Sequence, residues 1–365
     1  MIEIVSKIGE SETKIVLQLN GCSVVGSALE GAISDAPVSR VLLVTDDQVG
    51  RLYAPAVLQS LAAAGFLPFE HRIRPGEHSK SISSVAELYY RLASEGFGRD
   101  GVILALGGGV VSDLAGFVAA TWMRGVRWAV CPTTVEACID AALGGKTAIN
   151  IPGGKNLVGA FHHPVLVLVD AACLRSLDPR DFRAGLAESV KHALIVSDEF
   201  LDWHEAHADA VLAGDETKLG ELILRNLRIK SDIVAADAEE RGDRRIVLNL
   251  GHTIGHAIEE CSGFALRHGE CVALGLIAAC RLSHLLGLLD QAVVNRAEAL
   301  LARLGLPTRL ANPIETGDIM AAIALDKKVQ SGAVRWILLA GIGRPIVRSD
   351  VPESLARQAY ESLLQ

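Results

Sequence analysis

Basic excess, paired cysteines, aromatic side chains and long apolar runs are all scarce in this chain of 365 residues, and each scarcity excludes something. The formal net charge is −8, so nucleic acid is not expected as the main partner, because neutralising phosphates needs a basic surface. A small anionic substrate stays open, since a local cationic pocket can sit in an acidic exterior. The seven cysteines, Cys22, Cys131, Cys138, Cys173, Cys261, Cys271 and Cys280, are scattered, odd in number and contain no C-x-x-C pair. They read as small buried hydrophobes in a reducing compartment, not as a disulfide framework or a zinc ribbon. Aromatics make up only 4% against 50% hydrophobic residues overall, which points to an ordinary globular protein packed with aliphatic side chains. The longest apolar stretches, Gly101 to Val111 and Cys271 to Cys280, are too short or too broken to span a bilayer. Residues Met1 to Glu10 hold no basic segment leading into an apolar run, so no signal peptide is expected and a cytoplasmic location is the default.

What is present divides at about residue 172, giving an expected N-terminal domain over 1–172 and a C-terminal domain over 173–365. The first part alternates short β-branched runs with helical stretches. Val41–Thr45, His71–Arg74, Val102–Leu106, Trp128–Cys131 and Val165–Val169 read as strands; Arg51–Ala64, Ser83–Glu95 and Val110–Trp122 read as helices. Such alternation predicts a Rossmann-like α/β domain with a parallel sheet covered on both faces. The second part is mainly helical, with periodic segments at Pro179–Val196, Phe200–Ala213, Lys218–Ala236, Ile254–Cys261, Cys271–Leu286 and Gln291–Leu304. Val334–Ala340 is the one late strand expected, in a small ribbon.

Four clusters carry chemistry. The first is Asn249-Leu-Gly-His252-Thr-Ile-Gly-His256, followed by Arg267-His268-Gly-Glu270. Two histidines four apart share a helix face, and three grouped imidazoles are the usual material of a zinc-type site. The bland alternative is solvated surface histidines. Against it stand Gly251, Gly255 and Gly269, which cost helix stability without an evident packing reward. Thr253 and Ile254 exclude the protease pattern H-E-x-x-H. The second cluster, Gly107-Gly108-Gly109 between a strand and a helix, suits a pyrophosphate, although Ser112 occupies the third-glycine position of G-x-G-x-x-G and a tight turn would explain the glycines too. Asp46, at the end of the first clear strand, can hold ribose hydroxyls or simply make a turn.

The third cluster runs from Pro132-Thr133-Thr134 to Asn156 and includes Asp140, Lys146 and Lys155. Each lysine follows a glycine pair, where the chain can wrap an anion or merely form a flexible loop; the P-loop spacing is absent. In the fourth, Glu188 and Lys191 lie three apart on an apolar helix. A surface ion pair is the routine reading, but Glu188 is also placed to join two histidines at a metal with an open position. Lys230 and Arg245 bracket the acidic stretch Asp237 to Asp243, either as solvated charges or as clamps for carboxylate or phosphate.

Taken in order, these pieces resemble the 3-dehydroquinate synthases of the sugar-phosphate cyclase superfamily, over roughly residues 40 to 345. The resemblance is carried by Gly107-Gly-Gly-Val-Val-Ser-Asp-Leu-Ala-Gly-Phe117, Pro132-Thr-Thr134, Asp140 to Lys146, Gly154-Lys-Asn156, Ala187-Glu-Ser-Val-Lys191, Asn249 to His256 and His268-Gly-Glu270. It implies a zinc or cobalt ion held by Glu188, His252 and His268, with His256 near the substrate. It implies an NAD site lined by Asp46, Glu77, Lys80, Gly108, Gly109, Val110, Asp113, Thr133 and Thr134, with Lys146 and Lys155 reaching it. Substrate residues would be Arg124, Asp140, Lys146, Lys155, Asn156, Lys191, Lys230, Arg245, Asn249 and His256, with Lys327 or Lys328 on the phosphate. Among these, Asp140, Lys146, Lys191, Asn249 and His256 are the catalytic candidates. Arg124 in such proteins reaches a neighbouring subunit, which implies a homodimer.

The implied reaction is the phosphate-releasing lyase step of the shikimate pathway, on the way to aromatic amino acids. A C5 hydroxyl of 3-deoxy-D-arabino-heptulosonate 7-phosphate is oxidised by NAD, phosphate is eliminated, the hydroxyl is restored, and an aldol step closes the ring. Departures from the pattern are Ser112, Gln48, Glu136 and one extra residue between Asp237 and Arg245. Two rival readings remain. A sister cyclase acting on an aminated substrate or on sedoheptulose 7-phosphate is the nearer; a carboxylate-free substrate is disfavoured because Arg245, Asn249 and His256 are all present. The other is a metal-dependent alcohol or glycerol dehydrogenase, which would consume NAD stoichiometrically.

Overall fold

The structure is a computed structural model that describes residues 2–8, 11–33, 40–152, 154–325, 329–330 and 333–364. It divides into two compact units, Met1–Leu177 with Ile223–Glu239, and Asp178–Leu222 with Glu240–Gln365.

The first unit is built on a seven-stranded sheet. Its strands are β1 (Ile2–Ile8), β2 (Ser11–Leu17), β3 (Arg40–Asp46), β4 (Leu67–Ile73), β5 (Val102–Gly107), β6 (Arg127–Pro132) and, after the antiparallel hairpin β7 (Lys146–Ile151) and β8 (Gly154–Phe161), β9 (Leu166–Val169). They lie in the order β1-β2-β9-β6-β5-β3-β4. Every neighbouring pair is parallel except β1 with β2. Helices α1 (Val25–Ala32), α2 (Asp47–Ala63), α3 (Ile82–Ser94) and α4 (Gly109–Thr121) accompany it. All six residues of β5 are buried, which is why Val102–Leu106 reads as a continuous apolar run and not an alternating one.

The second unit contains α5 (Pro179–Val196), α6 (Asp198–Leu212) and the first turns of α7 (Glu216–Ala236), whose remainder belongs to the first unit. It continues with α8 (His252–Cys261), α9 (His268–Leu285), α10 (Gln291–Arg303), α11 (Thr316–Leu325) and α12 (Glu353–Glu361). Two small ribbons, β10 (Val329–Gln330) with β11 (Ala333–Val334) and β12 (Trp336–Leu339) with β13 (Pro345–Arg348), complete it. Asp178 caps α5 by accepting from Arg180 N at 2.8 Å, with Pro179 opening the helix. Every residue from Ala184 to Ile195 is buried, so α5 is a central helix and anything polar on it must find its partner inside the protein. α9 packs against α5, α8, α10, α12 and β12. Among the described residues no helix is long and apolar enough to cross a membrane.

Several elements were not foreseen. Residues 146–161 were expected as loops and form the β7–β8 hairpin, hidden because its glycine-rich flanks read as turns and its register shifts between Ile149 and Ile151. The β1–β2 hairpin, α1, α11 and α12 received no assignment. The single late strand expected over Val334–Ala340 is broken at Arg335.

Candidate active site

Two of the candidate metal ligands open helices. His252 is the first residue of α8, entered through Gly251 at φ +79°, and His268 is the first residue of α9. The third candidate, Glu188, lies within α5 and is 1% exposed. Its Oε1 sits 3.4 Å from Nε2 of His252 and 3.4 Å from Nε2 of His268. Three ligand atoms about 2.0–2.1 Å from a tetrahedral ion stand about 3.3–3.4 Å apart, so these two spacings suit a small divalent cation. The proton positions agree. His252 Nδ1 lies 3.1 Å from the Leu250 carbonyl, and His268 Nδ1 lies 3.1 Å from Glu259 Oε2. Carbonyl and carboxylate oxygens only accept, so both Nδ1 atoms carry a hydrogen, and in the neutral ring Nε2 is then the nitrogen with the lone pair.

Charge supports the same point. Lys191, one turn along α5 and also 1% exposed, pairs with Glu188 Oε2. Burial opposes ionisation of Glu188, but the Lys191 cation outweighs it and holds its carboxyl well below the usual range. The routine reading of this pair as a surface salt bridge is therefore wrong: the helix is apolar because it is internal. The solvated-histidine alternative fails too, since His252 is buried and His256 and His268 are half-buried. Ring centroids of the three lie 5.1, 5.5 and 5.8 Å apart. Their nitrogens come within 4.8 Å of one another, so distance alone does not separate His256 from the pair facing Glu188.

The glycines have a packing reward after all. A Cβ on Gly269 would stand 1.9 Å from the Ala184 carbonyl oxygen of α5, and one on Gly255 would stand 2.9 Å from the Cys271 carbonyl oxygen of α9. They let α5, α8 and α9 approach at backbone distance. Glu270 locks the same corner, accepting Arg267 N at 2.9 Å and a bidentate pair from Arg180 of α5, at 2.7 Å each.

Arg245 and Asn249 are the first and last residues of a short 3-10 helix before α8, and Arg245 is 1% exposed, not a solvated charge. Asn249 Nδ2 donates to Glu240 Oε1 at 2.9 Å. Glu240 and Glu259 are residues that sequence reasoning missed. Glu240 falls inside the acidic stretch that Lys230 and Arg245 bracket, where nothing local singles it out. Glu259 had a usable signal, since 252, 256 and 259 share one helix face.

In the first unit, β4 lies on one side of β3 and β5 on the other, so the strand order reverses between β3 and β5. Ligands of open α/β sheets bind outside the carboxyl ends of strands at such a point. Asp46 and Gly107 end those two strands. Asp46 caps α2, its Oδ1 accepting from Gln48 N at 2.8 Å and Val49 N at 2.9 Å, while Oδ2 takes neither bond. Gly108 caps α4, Gly109 and Val110 form its first turn, and a Cβ on Gly109 would meet only Ala141 at 3.8 Å. This open helix N-terminus suits a pyrophosphate. Thr133, just after β6, has a buried hydroxyl with no hydrogen-bond partner among the described residues, whereas Thr134 Oγ1 accepts from Ala137 N at 3.2 Å. Lys80, 4% exposed, pairs with Asp113 of α4, and burial raises the Asp113 carboxyl despite that cation. Glu77 accepts from Asn150 Nδ2 at 2.8 Å and lies 3.9 Å from Lys155 Nζ.

Lys230 of α7 is 6% exposed and binds Asp140 through its carbonyl oxygen at 2.6 Å and its Oδ1 at 2.8 Å. Asp140 lies on a π-helical turn, Ala137–Ala141, a geometry frequent at functional sites. Lys146 opens β7 and is exposed; Asn156 of β8 is exposed with φ +55°. Arg124 is not brought to this group. It follows α4 and precedes β6, so it sits at the amino-terminal edge of the sheet, about 20 Å from the first turn of α4 by helix rise. It is exposed, with φ +66°. Lys327 and Lys328 lie outside the described residues.

Two family models match adjoining segments of the chain. Residues 70–184 match the family described as 3-dehydroquinate synthase N-terminal, and residues 185–329 the one described as 3-dehydroquinate synthase C-terminal. A 3-dehydroquinate synthase from Symbiobacterium thermophilum is 43% identical over 89% of this chain and 90% of its own. One from Synechococcus sp. is 38% identical over 99% of both. Among solved structures, the 2-epi-5-epi-valiolone synthase ValA from Streptomyces hygroscopicus, with NAD+ and Zn2+ bound, is 29% identical, covers 99% of both chains and superimposes with a TM-score of 0.89.

Proposed function

The chain belongs to the 3-dehydroquinate synthase family, and from that premise we propose how its residues divide the work. The enzyme is a lyase converting 3-deoxy-D-arabino-heptulosonate 7-phosphate to 3-dehydroquinate and phosphate in the shikimate pathway. The observation that carries the assignment of roles is the convergence of His252 and His268 Nε2 on one oxygen of buried Glu188.

In this reading the first unit holds NAD and the second a zinc or cobalt ion, as the two groups bound to the Streptomyces relative support. Glu188, His252 and His268 would hold the ion, and Asp46, Gly108, Gly109, Val110, Thr133 and the Glu77, Lys80 and Asp113 set would hold the dinucleotide. When bound, NAD supplies a transient hydride acceptor and the metal a Lewis acid.

The protein's own side chains do the rest. Lys191 keeps Glu188 ionised and places a fixed cation beside the ligand set, so negative charge developing on a substrate oxygen costs little reorganisation. Arg245, held internally, suits the substrate carboxylate. Asn249, already donating to Glu240, and His256, beside the two ligand histidines, are placed to orient substrate hydroxyls and relay protons. Lys146, Lys155, Asn156, Lys230, and Lys327 or Lys328, would bind the phosphate end, and Asp140 would fix Lys230 in place. Phosphate departure needs such cations more than it needs a strong base.

Arg124 supports a homodimer. It is exposed and lies at the opposite end of α4 from the first turn that suits the dinucleotide, as expected of a side chain serving a neighbouring subunit. A cytoplasmic location fits the seven free cysteines.

The test follows phosphate release from the heptulosonate phosphate with catalytic NAD. Stoichiometric phosphate with no accumulating NADH supports the reading, and NADH without phosphate overturns it in favour of a dehydrogenase. Faster turnover of sedoheptulose 7-phosphate or of an aminated analogue would identify a sister cyclase. Mixing Arg124→Ala and His256→Ala chains should restore activity through heterodimers; no restoration would overturn the shared site.

A further inference from the structure

We propose that Glu259 is the positioning residue of the metal centre: its carboxylate fixes the ring of His268 with Nε2 turned to Glu188, and metal retention depends on it. The inference rests on the assignment of Glu188, His252 and His268 as ligands.

The two histidines are held differently. His252 has its Nδ1 answered by the Leu250 carbonyl, a backbone group two residues away that no substitution removes. His268 has its Nδ1 answered by a side chain, Glu259 Oε2 at 3.1 Å. His268 is also the looser of the two, with its side chain 27% exposed against 10% for His252. Both histidines open their helices, so neither has a preceding turn to confine its rotamer, and the group that answers Nδ1 matters more for each. Glu259 projects from α8 and its side chain is only 11% exposed, so it reaches His268 from a packed interface and is not a wandering surface acid.

This bond does two things. A carboxylate cannot donate, so it selects the tautomer in which Nε2 bears the lone pair, and its negative charge makes that nitrogen a stronger donor. Partners of this kind typically contribute 10–100-fold to metal affinity. Because His252 is oriented by backbone, Glu259 is a side chain whose substitution detunes the centre through His268 without removing a ligand.

The experiment uses full-length metal-free protein titrated with zinc against a chelator, with the cobalt absorption spectrum as a second readout. Glu259→Ala should weaken zinc binding by about 10–100-fold and alter the cobalt bands, while the thermal midpoint of the metal-free protein stays near that of the parent. Glu259→Gln, which can still accept from Nδ1 but lacks the charge, should recover part of the loss. Unchanged zinc affinity in Glu259→Ala overturns the proposal. So does a fall in the metal-free midpoint, equal in both variants, with affinity per folded molecule intact, because that pattern is merely structural. His268→Ala separates the premise from the inference: if it also leaves zinc binding intact, the ligand assignment has failed.

Discussion

Gly269→Ala tests whether the ligand-bearing helices are held at backbone contact. The added Cβ would lie 1.9 Å from the Ala184 carbonyl oxygen, 2.5 Å from its carbonyl carbon and 3.1 Å from its Cα. None of these atoms can turn aside, since all belong to the backbone of α5. Reaching ordinary contact at about 3.4 Å means parting α5 and α9 locally by about 1.5 Å, or bending one of them. Overpacking of this kind costs about 1–3 kcal/mol, offset by at most about 1 kcal/mol from replacing glycine in a helix. The net expectation is about 1–2 kcal/mol of lost stability. The metal site should suffer more. Ala184 lies one turn before Glu188, His268 adjoins Gly269, and metal ligands tolerate displacements of only about 0.2 Å. Urea unfolding of metal-free protein, followed by circular dichroism, measures the first effect and zinc competition the second. Gly220→Ala on α7 is the control: a Cβ there meets nothing within 4 Å, so it should stabilise by about 0.5–1 kcal/mol. A Gly269→Ala protein with the parent's urea midpoint and zinc affinity would refute the reasoning.

Other consequences can be checked alongside it. Lys191→Met strips the buried Glu188 carboxylate of its cation, and breaking such a pair costs about 3–5 kcal/mol; the metal-free variant should unfold at much lower urea, and an unchanged midpoint would contradict the buried pair. Asp46→Ala removes the α2 cap and should cost about 1 kcal/mol while weakening NAD binding by fluorescence titration; intact NAD affinity would confine Asp46 to its capping role. Tyr360 donates to the Ile314 carbonyl at 2.7 Å, and burial pushes its hydroxyl up to about 12. Its folded value is raised, so its contribution is fully present below pH 10 and lost as pH rises through about 12. Tyr360→Phe should therefore be about 1 kcal/mol less stable at pH 8, with the gap closing at high pH; a constant gap in urea midpoints would reject this.

Local information determined a good deal of this protein. The period of α5, its Asp178 cap and Pro179 start place the helix at Pro179–Val196 from sequence alone, because caps and periodicity act between close neighbours. The buried run Val102–Leu106 and the grouping of His252, His256 and His268 were legible for the same reason. What only the tertiary structure decided is where partners come from distant parts of the chain. Sequence could not tell a surface pair from the internal Glu188–Lys191 pair, since that depends on which helices cover α5. It could not show that Gly255 and Gly269 exist for backbone-to-backbone approach, or that Glu259 turns to His268. Helical period fixes which way a side chain faces on its own element; what it meets there is set by packing against elements dozens of residues away.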